Sequence, residues 1–270
     1  MQDGNELFIK LLSGMYQTGR ISLEDKMADS QPRITVRPNG PYIVSGNIPL
    51  VRKSEVISEH GEPLTWKKDE VLQTGDRYAL CRCGKSSAKP FCDGSHTHAD
   101  FDGSEVADTG NISEREATYE GTKIFIKDDR SLCMHAGFCG DRITNVWKMV
   151  QDSDDTQVRA RIMSMIERCP SGALSYSLGP DSENLEPDFP AEIAITPNGA
   201  LWVTGGIPIE RADGQPLEVR NRVTLCRCGG SGNMPLCDGT HKSNGSQRNR
   251  VFLKREKRNL RYDEQDNSYA

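Results

Sequence analysis

Apolar and polar residues alternate over two short, matching stretches. In the first, Ile34 and Val36 precede Pro38-Asn39-Gly40, and Tyr42 and Val44 follow. In the second, Ile193 and Ile195 precede Asn198-Gly199, and Leu201 and Val203 follow. A period of two on both sides of Asn-Gly predicts a β-hairpin, because Asn-Gly supplies the positive φ that a tight turn needs. A third strand is expected over residues 77–81 and again over 222–226, and the run from Lys123 to Ile126 predicts another. From Thr156 to Arg168 the spacing changes: Val158, Ile162, Met165 and Ile166 recur at helical intervals, which predicts a helix with its stripe in a core. Leu7, Phe8, Leu11, Leu12 and Met15 have a similar spacing, so residues 1–30 are expected to form an amphipathic helix docked on the chain or a partner.

The two alternating stretches belong to an internal repeat. Residues 33–50, RITVRPNGPYIVSGNIPL, align without a gap with residues 192–209, EIAITPNGALWVTGGIPI, at an offset of 159. Residues 60–64 face 213–217 at an offset of 153, and the cysteine clusters that follow align at 145, so the first copy carries longer loops on the same frame. Three short strands per copy make a small all-β module. Its core is too thin to hold by itself and calls for a metal or a partner.

Composition narrows the chemistry. The chain has 270 residues, 35% of them hydrophobic and 6% aromatic, a length for about two domains and an apolar content poor for one large core. No apolar run approaches the ~20 residues of a membrane-spanning helix. Asp3 and Glu6 interrupt the first twelve residues, which lack the pattern of a secretory signal, so a cytoplasmic location is expected. In a reducing compartment, nine cysteines at short fixed spacings point to metal ligands rather than disulfides.

Six of the nine sit where the β frames end. Residues 81–96 are CRCGKSSAKPFCDGSH and residues 226–241 are CRCGGSGNMPLCDGTH. Cys81, Cys83, Cys92 and His96 form one set, and Cys226, Cys228, Cys237 and His241 the other. Three thiolates and an imidazole suit an iron–sulfur cluster or a zinc ion. A single residue between the first two cysteines favours two thiolates closing on one iron, since structural zinc sites more often leave two to four. Gly84, Gly94, Gly229 and Gly239 are expected to let backbone approach bridging sulfides. Asp93 and Asp238 read as turn and helix N-cap residues, with a direct redox role as the alternative. An imidazole ligand raises a cluster's potential and can be protonated, so redox behaviour and cluster retention should depend on pH. His60 and His98 have no counterparts in the second copy and read as surface residues.

Both segments resemble the CDGSH-type iron–sulfur domain, whose motif is also met by Ser86 and Pro90 in one copy and Ser231 and Pro235 in the other. The resemblance implies a 2Fe-2S cluster in each, with Cys81 and Cys83 on one iron and Cys92 and His96 on the other, and likewise Cys226 and Cys228 against Cys237 and His241. Because such modules characteristically pair, it also implies an intramolecular pseudo-dimer of the two copies.

Residues 115–180 have a different texture and carry Cys133, Cys139 and Cys169, the last followed by Pro170. Cys-x5-Cys followed much later by Cys-Pro, with the string CPSGALSY, resembles the divergent single-cluster ferredoxins. A bacterial 4Fe-4S ferredoxin would place a further cysteine at the position of Ala136. Three thiolates fit a 3Fe-4S cluster, or a 4Fe-4S cluster completed by His135 or a non-protein ligand.

The expected architecture is therefore α+β: an N-terminal helix at 1–30, a CDGSH domain at 31–105, a ferredoxin-like domain at 115–180, a second CDGSH domain at 190–246 and a basic tail at 247–270. Residues 102–114 and 179–190, rich in Asp, Glu, Ser, Gly and Pro, read as linkers. Between Lys242 and Arg261 there are eight Lys or Arg, but the net charge of −5 argues against a nucleic-acid binder. No phosphate loop, nucleotide fingerprint or nucleophile elbow is present. The expected function is a multi-cluster electron carrier with a redox partner protein. The alternatives are a cluster-transfer or redox- and pH-sensing protein serving an apo acceptor, and a zinc-stabilised interaction module.

Overall fold

The computed structural model describes residues 31–244; the expected N-terminal helix and basic tail lie outside them. The first copy forms β1 (Arg33–Val36), β2 (Tyr42–Ser45), β3 (Leu50–Ile57), β4 (Pro63–Leu72) and β5 (Arg77–Leu80). The middle unit contributes β6 (Ala117–Glu120), β7 (Phe125–Asp128) and β8 (Leu174–Ser177). The second copy supplies β9 (Glu192–Ile195), β10 (Leu201–Thr204), β11 (Ile209–Glu210) and β12 (Arg222–Leu225). Both Asn-Gly hairpins form, with Asn39 and Asn198 at positive φ.

The copies do not keep separate sheets. One sheet runs β11-β1-β2-β5 and the other β12-β10-β9-β3-β4. The strand after each opening hairpin crosses to the other copy and adds in parallel, Ile209 beside Ile34 and Leu50 beside Ile193. One apolar core results, in which Ile34, Tyr42 and Leu50 share a cluster with Ile193, Leu201 and Leu225. Pooling two thin cores raises the fraction of surface that each small module buries. Glu192 ties the copies further, accepting from Lys53 at 2.6 Å and Lys68 at 2.8 Å. Burial opposes its charge, but these hydrogen bonds hold its carboxyl below the ordinary value.

The long hairpin β3–β4 accounts for the longer loops of the first copy and reaches the middle unit. Trp66 donates to the Arg168 carbonyl at 3.0 Å and packs between Phe138 and Trp202. In the middle unit β7 lies between β6 and β8. The predicted helix spans Thr156–Glu167, capped by Asp155, and buries Ile162, Met165 and Ile166. The predicted strand at Lys123 instead begins at Phe125, because Gly121 donates to the Ile124 carbonyl and closes a turn there.

Neither expected linker hangs free. Val106 and Ala107 donate to the Met234 carbonyl, and Arg211 donates to the carbonyls of Glu105 and Ala107, which fastens this segment to the second copy. Leu185 donates to Tyr176, and Glu186 pairs with the buried Arg222. Polar composition hid these anchors because their partners, Met234, Arg211, Tyr176 and Arg222, lie elsewhere in the chain. Among the described residues, no helix is long and apolar enough to cross a membrane.

Candidate metal centres

Each cysteine loop is tied back onto the strand that delivers it. Cys81 donates its N–H to Pro90 and Cys92 donates to Ala79; Cys226 donates to Pro235 and Cys237 to Thr224, all at 2.8–2.9 Å. Ser86 and Ser231 brace the loops from inside, donating to the carbonyls of Phe91 at 2.6 Å and Leu236 at 2.7 Å. Asp93 accepts from Ser87 and Ser95, and Asp238 accepts from Gly232 and Thr240, so both aspartates act as turn locks.

The ligand-type atoms come in pairs. Cys81 and Cys83 sulfurs lie 3.8 Å apart and those of Cys226 and Cys228 3.6 Å. Cys92 Sγ lies 3.4 Å from His96 Nδ1, and Cys237 Sγ 3.3 Å from His241 Nδ1. Two thiolates at about 2.3 Å from a tetrahedral metal stand roughly 3.8 Å apart, and a thiolate and an imidazole nitrogen roughly 3.5 Å. Each pair therefore has the bite for one metal. Backbone N–H groups of Lys85, Gly94 and Gly230 point at Cys83, Cys92 and Cys228, respectively, as donors to thiolate sulfur.

The two sets differ in their surroundings. Cys92 and His96 are partly exposed, whereas Cys226, Cys228, Cys237 and His241 are all buried. Burial pushes the Cys237 thiol up to about 12, and its partner Cys228 together with burial lifts Cys226 well above its ordinary value. Burial, with the Lys242 and Arg227 charges, holds the His241 imidazole down to about 4. Cys83 is raised by burial as well. Without a metal's positive charge these thiols keep their protons, so loading the sites releases protons.

Four residues do work that spacing alone did not reveal. Arg82 donates to the carbonyls of Arg37 and Gly40, and Arg227 donates to those of Thr196 and Gly199, so the arginine inside each Cys-x-Cys caps the opening turn of its own copy. The signal was the repetition of both Pro-Asn-Gly and Cys-Arg-Cys. Gly84 and Gly229 serve the contact between the two loops: a Cβ on Gly84 would meet the Cys228 carbonyl at 2.5 Å, and one on Gly229 the Cys83 carbonyl at 2.4 Å. The two loops thus approach each other backbone to backbone at these glycines. At Gly239 the near neighbours are the His135 ring and the Met134 carbonyl, and Gly94 faces open space.

Cys133, Cys139 and Cys169 line a cavity of about 170 Å3 in the middle unit. Arg130 donates to Cys133 Sγ at 3.6 Å, the His135 N–H donates to the same sulfur at 3.4 Å, and Ser171 Oγ lies 3.6 Å from Cys169 Sγ. Burial, then the neighbouring Cys169 and Cys133, raises the Cys139 thiol. His135, at positive φ, lines the cavity but packs its ring against Gly239 of the second copy. Among the described residues, no group of three or more His, Cys, Asp or Glu is arranged to hold a single ion.

Comparison with known proteins agrees with this organisation. The family described as iron-binding zinc finger CDGSH type matches residues 39–97 and 198–242, and the divergent 4Fe-4S mono-cluster family matches residues 119–179. No curated protein and no solved structure gives a significant match. With both cysteine loops inside the first matches and all three remaining cysteines inside the second, the chain is an iron–sulfur cluster-binding protein that carries two CDGSH-type domains flanking a divergent 4Fe-4S domain.

Proposed function

We propose that the chain is a multi-cluster electron carrier, with Cys81, Cys83, Cys92 and His96 holding one 2Fe-2S cluster and Cys226, Cys228, Cys237 and His241 a second. Cys133, Cys139 and Cys169 hold a 3Fe-4S or 4Fe-4S cluster. Paired but not convergent ligands carry this reading: Sγ–Sγ distances of 3.8 and 3.6 Å and Sγ–Nδ1 distances of 3.4 and 3.3 Å give each pair the bite for one metal, while among the described residues no three such ligands gather around a single ion as one tetrahedral zinc requires. Bound there, such clusters supply one-electron transfer without bond making or breaking. The protein's own part is to aim N–H donors at the sulfurs, hold each histidine through Nδ1 and keep its loops tied to strands. Redox cycling tests the reading. After repeated anaerobic reduction with dithionite and reoxidation, iron and labile sulfide should stay with the chain; their loss on the first cycle would overturn it.

A second reading has its own support. Partial exposure of Cys92 and His96 suits release of the first cluster to an apo acceptor, and incubation with an apo-ferredoxin distinguishes the two: transfer without added reductant favours the donor role.

A further inference from the structure

The middle unit leans on only one of the two CDGSH ligand sets. Met134, next in sequence to Cys133, packs in one buried cluster with Cys237 and Ala200. The His135 ring lies against Gly239, the Lys242 ammonium donates to the His135 carbonyl, and Asn233 donates to the Ser131 carbonyl at 2.9 Å. One residue thus separates a ligand of the central set from a ligand of the second. The second set in turn meets the first through the reciprocal contact of Gly84 with Cys228 and Gly229 with Cys83. Burial follows the same order: the second set is buried throughout, while Cys133, Cys139 and Cys169 at one end and Cys92 and His96 at the other are partly exposed.

Resting on the proposed function, we infer that the second CDGSH set is an interior station, bridged to the central set by Met134, and that the central and first sets are the two ends where partners exchange electrons. Each step moves one electron and makes or breaks no bond. The group held by Cys133, Cys139 and Cys169 loses an electron as the group held by the second set gains it, and the second set is reoxidised as the first is reduced. A one-electron donor protein feeds the central end, and a one-electron acceptor drains the first. Imidazole ligation raises potential, which sets the direction from the all-thiolate end toward the histidine-bearing sets.

Pulsed EPR on the full chain, loaded anaerobically and poised with dithionite where each pair of clusters is paramagnetic, reads the order as three inter-cluster distances. Central-to-second and second-to-first are expected to be short, and central-to-first the longest. A shortest distance between central and first would overturn the proposal. Met134→Ala, which leaves every ligand in place, tests the bridge: after a substoichiometric dithionite pulse, equilibration between the central and second signals should slow several-fold beyond what the measured shift of the second site's potential accounts for. An unchanged rate would take Met134 out of the route and overturn the proposal too. Iron and sulfide counts on the same samples separate the two levels. Three loaded sites with the wrong distances sink the wiring alone, whereas a chain without labile sulfide sinks the electron-carrier reading and the wiring together.

Discussion

The two CDGSH sites share a motif, a loop geometry, nearly the same bites and a buried Cys-x-Cys pair, yet the Cys–His pair of one reaches the surface and that of the other is interior. Cys92 and His96 are partly exposed; their counterparts Cys237 and His241 lie beneath Met134 and the 131–135 backbone, His241 only 5% exposed. The motif builds the ligand pairs, and the middle unit, which touches both copies but covers the ligand loop of the second alone, decides how dry each Cys–His pair is. A histidine ligand in water and one in a low-dielectric contact differ in access to protons and in the cost of charge.

The most damaging way to break this comparison is to pry apart the contact both sites share. Gly229→Val puts a β-branched side chain at φ +77° with its Cβ 2.4 Å from the Cys83 carbonyl. It should cost about 3 to 5 kcal/mol and weaken both 2Fe-2S signals together, as read by chemical denaturation and visible absorption. Loss of only one signal would mean that the sites are independent.

Met134→Ala attacks the asymmetry itself. Removing a buried methionine against Cys237 should cost about 2 to 3 kcal/mol, and acid bleaching of the second site should speed up toward the rate of the first, which is expected to bleach sooner in the parent protein. Bleaching at pH 5, followed in chains retaining one CDGSH cluster (Cys92→Ser or Cys237→Ser), checks both statements.

Glu192→Gln should loosen the copies without favouring either site. The native carboxyl is held below its ordinary value of 4.5, so the stability it contributes is present above that pH and fades as pH falls through the lowered folded value. Unfolding titrations at pH 7 should show a loss of about 2 kcal/mol, narrowing as the pH drops below 4.5, with both sites losing their clusters at similar rates.

The smallest difference compares equivalent glycines. Gly94→Ala meets open space and bears only the strain of positive φ, about 1 kcal/mol, whereas Gly239→Ala also meets the His135 ring and the Met134 carbonyl. Thermal unfolding should rank Gly239→Ala below Gly94→Ala by roughly a further 1 kcal/mol.

Much of this was legible in the sequence because it is local. Asn-Gly between alternating residues marks the opening hairpins, Cys-x-Cys and Cys-Asp-Gly-x-His mark the ligand pairs, and Ile162, Met165 and Ile166 mark the buried helix face. What escaped depends on contacts far apart in the chain. Nothing local in Ile209 shows that it pairs with Ile34. Residues 105–107 look like a polar linker until Arg211 and Met234 supply partners for their backbone. The same limit applies to Gly239 and His241: their motif is identical in type to that of the first copy, and only the neighbouring loop from Ser131 to Ala136 makes their surroundings different.

The most direct test of the account is the iron, zinc and acid-labile sulfide content of anaerobically purified full chain, with absorption and low-temperature EPR on the same sample. The account predicts about seven or eight irons with matching sulfide, from two 2Fe-2S sites and one 3Fe-4S or 4Fe-4S site, and no stoichiometric zinc. Zinc without sulfide would contradict it outright, and about four irons would leave the three middle cysteines without a cluster and remove one end of the chain of sites.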